Sequence, residues 1–455
     1  MSSNIDNLFM KLLEKSTLYS QKCIMCKRKM KPKRSRSMSP EASSSRGTKI
    51  QKISDYKTKP IDDQPVQRVQ LLDFSDDVIL NIMKYLNPQD LMSLSLCCHL
   101  LNRVGRDRTV WHTADFRSKP MPFDELRLYL KYFHPTTSSI SINGKINDNN
   151  ELYELKQYFL KTVCKLCTSL KELIIEEYKI ISTEIKISDF PTTLETLSLK
   201  GTNVCDLSTS RSYFFKLDQL MPNLTTLILT NCQWLTGHSL MVISKIPKLK
   251  ELRINSCKNL GECVAYASLS TRFGFKTLEK LDLRCTAFGD SELRCFGNTT
   301  TLTHIYLEYS QELNNQQLEN RPQQQLGQPV YEDNHLVQYV ANNDINMLRP
   351  DQSSCRITDR SICALGSYLC DRRVLDNAIR NVILVEEDIR VLNNPNLTNL
   401  VLRNFSKVTN QSLIHLAANA DKLKYLDVTG SGVTAEGVRT YTLARPDVTL
   451  ISSYY

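Results

Sequence analysis

LKELRI at residues 249–254 returns as LEKLDL at 278–283 and as LTHIYL at 302–307. In each hexamer positions 1, 4 and 6 are apolar. The same signature occurs in LKELII (170–175), LETLSL (194–199), LTTLIL (224–229), LTNLVL (397–402) and LKYLDV (423–428). The first six copies begin at 170, 194, 224, 249, 278 and 302, so the unit recurs every 24 to 30 residues. Position 9 is often a small polar residue: Thr202, Cys232, Cys257, Thr286, Ser310 and Ser431. A step such as Leu235-Thr236 or Val408-Thr409 commonly follows, and then a stretch of helical spacing. One six-residue strand cannot bury its own leucines, but stacked copies in one register form a continuous core. Unrelated strands of a sandwich would have no reason to share that register.

This is the leucine-rich-repeat pattern in its longer form. It predicts an α/β solenoid, a horseshoe with an inner parallel sheet and outer helices, over residues 118–455. Ala114-x-Phe116 and Ile140-x-Ile142 are expected to supply irregular early repeats, with Trp111 burying its ring between the array and what precedes it. Cys232 and Cys257 then read as buried ladder residues, not nucleophiles or metal ligands. Between 314 and 356 the rhythm breaks in a Gln/Asn-rich insertion that opens NNQQLENRPQQQ, expected to be an exposed loop. RITDRSICALGSYL resembles the helical half of a repeat, and Ile379, Val382 and Leu384 hint at one more strand. ARPDVTLISSYY has the form of a closing strand.

Strand alternation separates the faces. If positions 4 and 6 point inward, positions 3, 5 and 7 line the concave face. They are Glu251, Arg253 and Asn255, then Lys280, Asp282 and Arg284, then His304, Tyr306 and Glu308. The earlier rows, Thr196, Ser198, Lys200 and Thr226, Ile228, Thr230, are blander. Arginine and tyrosine are enriched at interface hot spots, so Arg253, Asp282, Arg284, Tyr306 and Glu308 are the candidate protein-binding residues. With Asp282 between Arg253 and Arg284, two guanidinium groups beside one carboxylate predict a surplus of positive charge, suited to an acidic or phosphorylated segment. The bland alternative is a solvated mixed-charge surface.

Ahead of the array lies FSDDVILNIMKYLNPQDLMSLSLCCHLLN, residues 74–102. Ser75 followed by Asp76 and Asp77 predicts a capped helix start. Val78, Ile79, Ile82, Met83 and Leu86 continue it at helical spacing. Asn87-Pro88 ends this helix and opens a second, with Asn87 as N-cap, Pro88 in the first turn and Asp90 closing the cap. The second helix is expected to carry Leu91, Leu94, Cys98 and Leu101 on one stripe. Two such helices are too few to fold alone.

From Phe74 to Trp111 the segment resembles an F-box. The family pattern runs Leu-Pro-x-Glu-Val-Leu, Ile-Phe-x-Tyr-Leu, x-Pro-x-Asp-Leu, Val-Cys and a terminal Leu-Trp. Asp77-Val78-Ile79, Ile82-Met83, Tyr85-Leu86, Pro88, Asp90-Leu91, Cys98 and Val110-Trp111 take those places. Phe74-Ser75 replaces Leu-Pro, Cys97 replaces Val, and Leu101 stands where many members carry Trp. The domain is expected over residues 69–117. The resemblance of residues 70–455 to F-box/leucine-rich-repeat proteins implies a non-catalytic substrate receptor of an SCF ubiquitin ligase. It implies a Skp adaptor bound through Val78, Ile79, Ile82, Leu86, Pro88, Leu91, Leu94 and Leu101. Cullin and RING subunits would join through the adaptor, and an unidentified protein substrate would occupy the repeats. No cofactor is implied.

Charge supports that class. The chain has 455 residues, with 58 basic and 48 acidic side chains. Residues 1–70 hold 16 of the basic and 6 of the acidic ones, which leaves 42 of each for the rest. A neutral body argues against coating phosphate backbones. Residues 1–68 are expected to be a disordered basic tail. Within it KRKMKPKR is either a nuclear-import cluster or a solvating run, so the location expected is cytoplasm, nucleus or both. Ile5, Leu8, Phe9, Leu12 and Leu13 share one helical face there, and Ser39-Pro40 is a possible phosphorylation site. Cys23-x-x-Cys26 and Cys164-x-x-Cys167 have ligand spacing but lie far apart, which disfavours a zinc site. Fifteen cysteines without framework spacing suit a reducing compartment. No apolar run reaches the ~18 residues of a membrane span. The seven histidines are scattered, and neither a phosphate-cradling glycine loop nor a nucleophile motif is present. Two other readings stay open: a repeat scaffold that does not serve ubiquitination, and a nuclear nucleic-acid-associated protein that uses the tail.

Overall fold

The structure is a computed structural model that describes residues 70–144, 152–208, 211–261, 263–310, 356–376 and 383–454. The basic tail, with Cys23, Cys26, Ser39 and the amphipathic stretch at 5–13, lies outside these residues, as does the Gln-rich insertion up to residue 355. Two compact units are present, one ending at Val110 and the other running from Trp111 to Tyr455.

The first unit is helical: α1 Asp76–Met83, α2 Pro88–Ser95 and α3 His99–Val104. Ser75 takes the N-cap position of α1, but its side chain makes no cap bond. The Asn87 cap forms as expected: its Oδ1 accepts from the Asp90 backbone N–H at 2.9 Å, and its Nδ2 donates to Asp90 Oδ2 at 2.8 Å. The expected single second helix is two helices. Ser93 and Ser95 hydroxyls donate back to the carbonyls of Gln89 and Leu91, which competes with helix continuation. Cys98 then caps α3 through a Leu101 N–H to Sγ contact of 3.5 Å. Gly105 passes so close to the Ser95 hydroxyl that a Cβ there would stand 2.2 Å from it.

In the second unit the early strands are β1 Thr113–Asp115, β2 Ser139–Asn143, β3 Glu172–Glu176, β4 Lys179–Ile181, β5 Thr196–Ser198, β6 Asn203–Cys205 and β7 Thr226–Ile228. They continue with β8 Glu251–Arg253, β9 Lys280–Asp282, β10 His304–Glu308, β11 Gly366–Asp376 and β12 Ile383–Asn393. β13 Asn399–Arg403, β14 Tyr425–Asp427 and β15 Thr449–Ile451 complete the set. Eleven of them form one parallel sheet in the order β1-β2-β3-β5-β7-β8-β9-β10-β13-β14-β15. All eight hexamers supply strands of it, and Ala114, Ile140 and the C-terminal segment supply the rest. Their position-4 residues align in one row: Leu173, Leu197, Leu227, Leu252, Leu281, Ile305, Leu400 and Leu426. Each is fully buried. Register and face therefore agree with the alternation in the sequence.

Helices alternate with these strands: α4 Phe123–Leu126, α5 Gln157–Leu166, α6 Leu217–Leu220, α7 Gly237–Ile243, α8 Val264–Phe273 and α9 Asp290–Phe296. α10 Asp359–Ile362, α11 Asn410–Asn419 and α12 Ala435–Ala444 follow. Side chains at the starts of the last four tie one repeat to the next. Asp290 accepts from the backbone and hydroxyl of Thr358 at 2.8 and 2.6 Å, and Asp359 does the same for Thr409. Asn410 in turn receives the Thr434 N–H at 2.9 Å.

The cysteine ladder is as expected. Cys232 and Cys257 each donate at 3.0 Å to the carbonyl of the preceding repeat's position 6, Leu199 and Leu229. Ser431 repeats the contact on Leu402. Burial pushes the Cys232 thiol up to about 12 and the Cys257 thiol higher, so neither forms a thiolate near neutrality. Cys167 is buried in the core behind α5, whereas Cys164 is exposed.

Trp111 is buried and, within its own unit, stacks face to face on Tyr132, with ring centroids 4.4 Å apart, and lies 6.4 Å from the Tyr129 ring. One expectation changes. RITDRSICALGSYL does give a repeat helix, α10. Among the described residues β13 pairs directly with β10 in the main sheet, and β11 and β12 between them pair with each other antiparallel. Leu384 lies in β12, and Ile379 and Val382 fall outside the described residues. Apolar alternation looks the same in a hairpin as in a parallel strand, which is why the sequence misled.

Candidate functional site

Each unit carries its own candidate surface. In the helical unit α1 is apolar on two sides. Ile79 and Met83 are buried, together with Pro88, Leu91, Leu101 and Val104 from the following turns. An adjoining face presents Val78 and Ile82, and Tyr85 follows in the turn after the helix. Of the eight residues expected to meet a partner, Ile79, Pro88, Leu91 and Leu101 are thus internal and hold the helices together. Ile82, Leu86 and Leu94 are half-buried, and Val78 is exposed. Sequence reasoning missed two of the most exposed apolar side chains, Tyr85 at 84% and Leu96 at 77%. The signal for Tyr85 was available, since it completes the Val78–Ile82 stripe. Arg103 closes on Asp76 at 2.8 Å and tethers α3 to the start of α1.

In the array, the face opposite the leucine row carries the expected positions. Glu251 pairs in register with Lys280, and Lys280 with His304. The next row is Arg253, Asp282, Tyr306, Val401 and Asp427. Arg253, Asp282, Arg284, Tyr306 and Glu308 therefore come together on neighbouring strands.

Their charges pair differently from the expectation. Arg253 Nη2 lies 2.5 Å from Glu251 on its own strand. Arg284 grips Asp282 with two bonds, Nε to Oδ1 at 2.9 Å and Nη2 to Oδ2 at 2.7 Å. Each arginine has its own carboxylate, so the predicted surplus of positive charge is absent from this pair of rows. Asp282 is also only 5% exposed, covered on a face expected to be open. Its hydrogen bond raises the Arg284 pKa further above its ordinary value. Arg284 also lies over the Tyr306 ring, 5.8 Å from the centroid. Burial and the nearby Lys280 hold the His304 imidazole below its usual pKa, so it is neutral at pH 7. Burial, then Glu251 and Asp282, keep the Tyr306 phenol protonated.

The alternation rule, applied to the last two hexamers, finds residues left out of the prediction. Arg403 at position 7 reaches Asp427 at position 5 of the next repeat, with Nη2 to Oδ2 at 2.6 Å. Desolvation would raise the Asp427 pKa, but Arg403 and Thr429 hydrogen bonds hold it below the usual value. At the other end of the sheet Arg117 forks onto Asp115 and approaches Glu176 at 3.7 Å. Over β8 to β14 the face holds four basic residues (Arg253, Lys280, Arg284, Arg403) and four acidic ones (Glu251, Asp282, Glu308, Asp427). Such a surface can recognise a partner by matched hydrogen bonds and aromatic contact, not by net charge.

Residues 76–117 match the F-box-like family. They form an F-box-like domain, followed by a parallel-strand array whose repeat is of the leucine-rich type. No curated protein sequence matches the chain. Among solved structures the chain is similar to an internalin from Listeria monocytogenes, at 16% identity and TM-score 0.33, over 70% of this chain and 75% of that one. It is similar to the Rad7 and Elc1 complex in yeast at 15% identity and TM-score 0.37, over 84% and 89%. A leucine-rich-repeat protein of Leptospira interrogans gives 15% identity and TM-score 0.24, over 70% and 85%.

Proposed function

We propose that this chain, an F-box-like domain ahead of a leucine-rich-repeat array, is the substrate-recognition subunit of an SCF ubiquitin ligase. The observation that carries the reading is the F-box-like match at 76–117, with Val78, Tyr85 and Leu96 left exposed on it. In this reading the helical unit binds a Skp-type adaptor, and cullin and RING subunits are recruited through it. The outward face of the array, centred on Arg253, Asp282, Arg284, Tyr306 and Glu308, holds the protein to be modified. The chain supplies proximity and no catalytic group: it raises the effective concentration of a substrate lysine near a thioester carried elsewhere.

The test is co-purification of the full chain with a Skp-type adaptor. Burying one large apolar side chain contributes ~1.5–3 kcal/mol. Tyr85→Asp combined with Leu96→Asp should weaken adaptor binding by about 100-fold or more. Because both side chains are exposed, the circular dichroism spectrum should not change. Wild-type protein that captures no adaptor, or a double variant that captures it undiminished, sinks the proposal. Adaptor capture without cullin would favour the scaffold reading instead.

A further inference from the structure

The helices of the array carry an exposed apolar stripe that neither surface above includes. It lies on α8, Val264–Phe273, where the usual arrangement of a surface helix is reversed. The buried side is small: Ala267, Ser270 and Thr271, with both hydroxyls donating back to carbonyls one turn earlier, on Tyr266 and Ala267. Tyr266, Leu269 and Phe273 are instead exposed, Phe273 by 69%, and their i, i+3, i+7 spacing puts them on one stripe. No other described helix of the array exposes more than one large apolar side chain. A concentrated patch of this kind on a soluble protein marks an interaction site.

The stripe leans toward α7. The Tyr266 ring lies 6.0 Å from the His238 ring, and a Cβ on Gly237 would stand 3.0 Å from Tyr266 Cδ2. Half-buried Met241, one turn beyond Gly237, continues that side of α7. Apolar residues along the seam of two neighbouring helices form a seat for a third.

Charge says what kind of helix fits. Lys245, Arg272 and Lys276 are exposed, and among the described residues none forms an ion pair. They gather at the Phe273 end. The Arg272 guanidinium lies 5.4 Å from the Phe273 ring centroid, and the Lys276 ammonium donates to the Arg272 carbonyl at 3.3 Å. The Phe275 N–H donates to the Ser244 carbonyl at 2.8 Å, which brings the turn bearing Lys245 alongside. The C-terminus of α8 supplies about half a negative charge and offsets only part of three positive ones. Neither α7 nor α8 contains an acidic residue. The α9 carboxylates are engaged, Asp290 with Thr358 and Glu292 with the backbone N–H groups of Cys263 and Gly289. A second copy of the chain would bring three more cations to the seam. Residues 1–70, with 16 basic and 6 acidic side chains, would be repelled as well.

We propose that the seam between α7 and α8 docks an acidic amphipathic helix of a partner protein. The partner's apolar side chains pack on Tyr266, Leu269 and Phe273, and carboxylates at one end meet Lys245, Arg272 and Lys276. Because the stripe leans into α7, it suits a helix laid along the seam better than a flat bilayer. The inference is independent of the ligase reading.

The experiment is fluorescence polarisation of the full chain against a labelled peptide, two copies of Leu-Glu-Glu-Leu-Leu-Ala-Glu, whose leucines share one helical face. One control peptide has Lys in place of every Glu, and the other is a scramble that spreads the leucines around the helix. The acidic peptide should bind with micromolar affinity, and each control at least about tenfold more weakly. Leu269→Ser with Phe273→Ser should lower affinity about 30-fold or more with little change in Tm, because both side chains are exposed. Lys245→Gln with Arg272→Gln should lower it about three- to tenfold and flatten its salt dependence. No saturable binding, equal binding of the basic peptide, or unchanged affinity in both variants would overturn the proposal. Binding to vesicles of equal parts phosphatidylcholine and phosphatidylserine that is lost in the Leu269→Ser, Phe273→Ser variant would overturn it too, by assigning the stripe to a membrane. Dimerisation of the wild-type chain abolished by that same variant would assign it to a second copy and sink the proposal equally.

Discussion

Leu281 and Asp282 are neighbours on β9 with opposite tasks, and replacing each by alanine tests the assignment of the two faces. Leu281 is fully buried, in register between Leu252 and Ile305. Truncation removes three carbons from that row, worth ~2.4 kcal/mol at ~0.8 kcal/mol per methylene. The rows on either side are fixed by their own strands, so the void closes only in part, and the total should reach ~3–5 kcal/mol. Asp282 is nearly as inaccessible, but its partner is not: the Arg284 side chain is 38% exposed. Once freed, that guanidinium can be solvated. Loss of its two hydrogen bonds should then cost only ~1–2 kcal/mol. Lys280→Ala, on the same strand and exposed, should change stability by less than about 0.5 kcal/mol.

Urea unfolding followed by far-UV circular dichroism reads the whole array. Fluorescence reads it near its two tryptophans, Trp111 and Trp234, and the Trp234 indole N–H donates to the Thr202 carbonyl at 3.0 Å. Repeat arrays can lose cooperativity, so both probes are needed. If Asp282→Ala costs as much as Leu281→Ala, the alternation argument has assigned the wrong energetic weight to the outward face. If Leu281→Ala costs less than about 1 kcal/mol, the leucine row is not the core.

The other expectations follow from the same geometry. Asp427 has its pKa depressed by Arg403 and Thr429, so its contribution to stability is fully present above the unfolded value of about 3.9 and is lost as pH falls through the lower folded value. Asp427→Asn should therefore be less stable than wild type at neutral pH, with the gap in Tm closing below about pH 4; a gap that stays constant refutes the linkage. Native alkylation at about pH 8, mapped by mass spectrometry, should label exposed Cys97 promptly and buried Cys232 and Cys257 only at the rate of unfolding. Labelling of all three at one rate would mean that the ladder opens freely. Arg253→Glu with Tyr306→Ala should impair substrate ubiquitination and spare adaptor binding, and undiminished substrate turnover would place recognition elsewhere on the chain.

The leucine row was legible because it is dictated twice, by the period within each hexamer and by the need of every strand to match its neighbours. Outward positions face only the first constraint. The alternation places Arg253 and Asp282 on one face, and they are in register there. It does not say which carboxylate Arg253 takes. Glu251, two residues away on the same strand, and Asp282, across the ladder, both share its side of the sheet. The pairing with Glu251 turns a surface expected to be electropositive into a balanced one. Exposure is similarly unreadable: nothing in the hexamer marks Asp282, 5% exposed and gripped by Arg284, as a covered position. The antiparallel pairing of β11 with β12 escaped for another reason, since period-2 apolarity carries no information about strand direction.

The helical unit gives the sharper lesson. Val78 and Ile79 are adjacent, both apolar, and both fit the F-box pattern, yet one is exposed and the other wholly buried. A list of matched apolar positions cannot separate them, because α1 bears more apolar surface than one face needs. Its inner side, Ile79 and Met83, is covered by the chain itself. The outer face, Val78 and half-buried Ile82, together with Tyr85 in the turn that follows, is not. A soluble protein rarely leaves such a stripe uncovered without a partner for it. The excess that blurred the sequence reading is thus the same feature that singles out Tyr85, beside the outer face of α1, as the place to test the proposed adaptor binding without unfolding the helices.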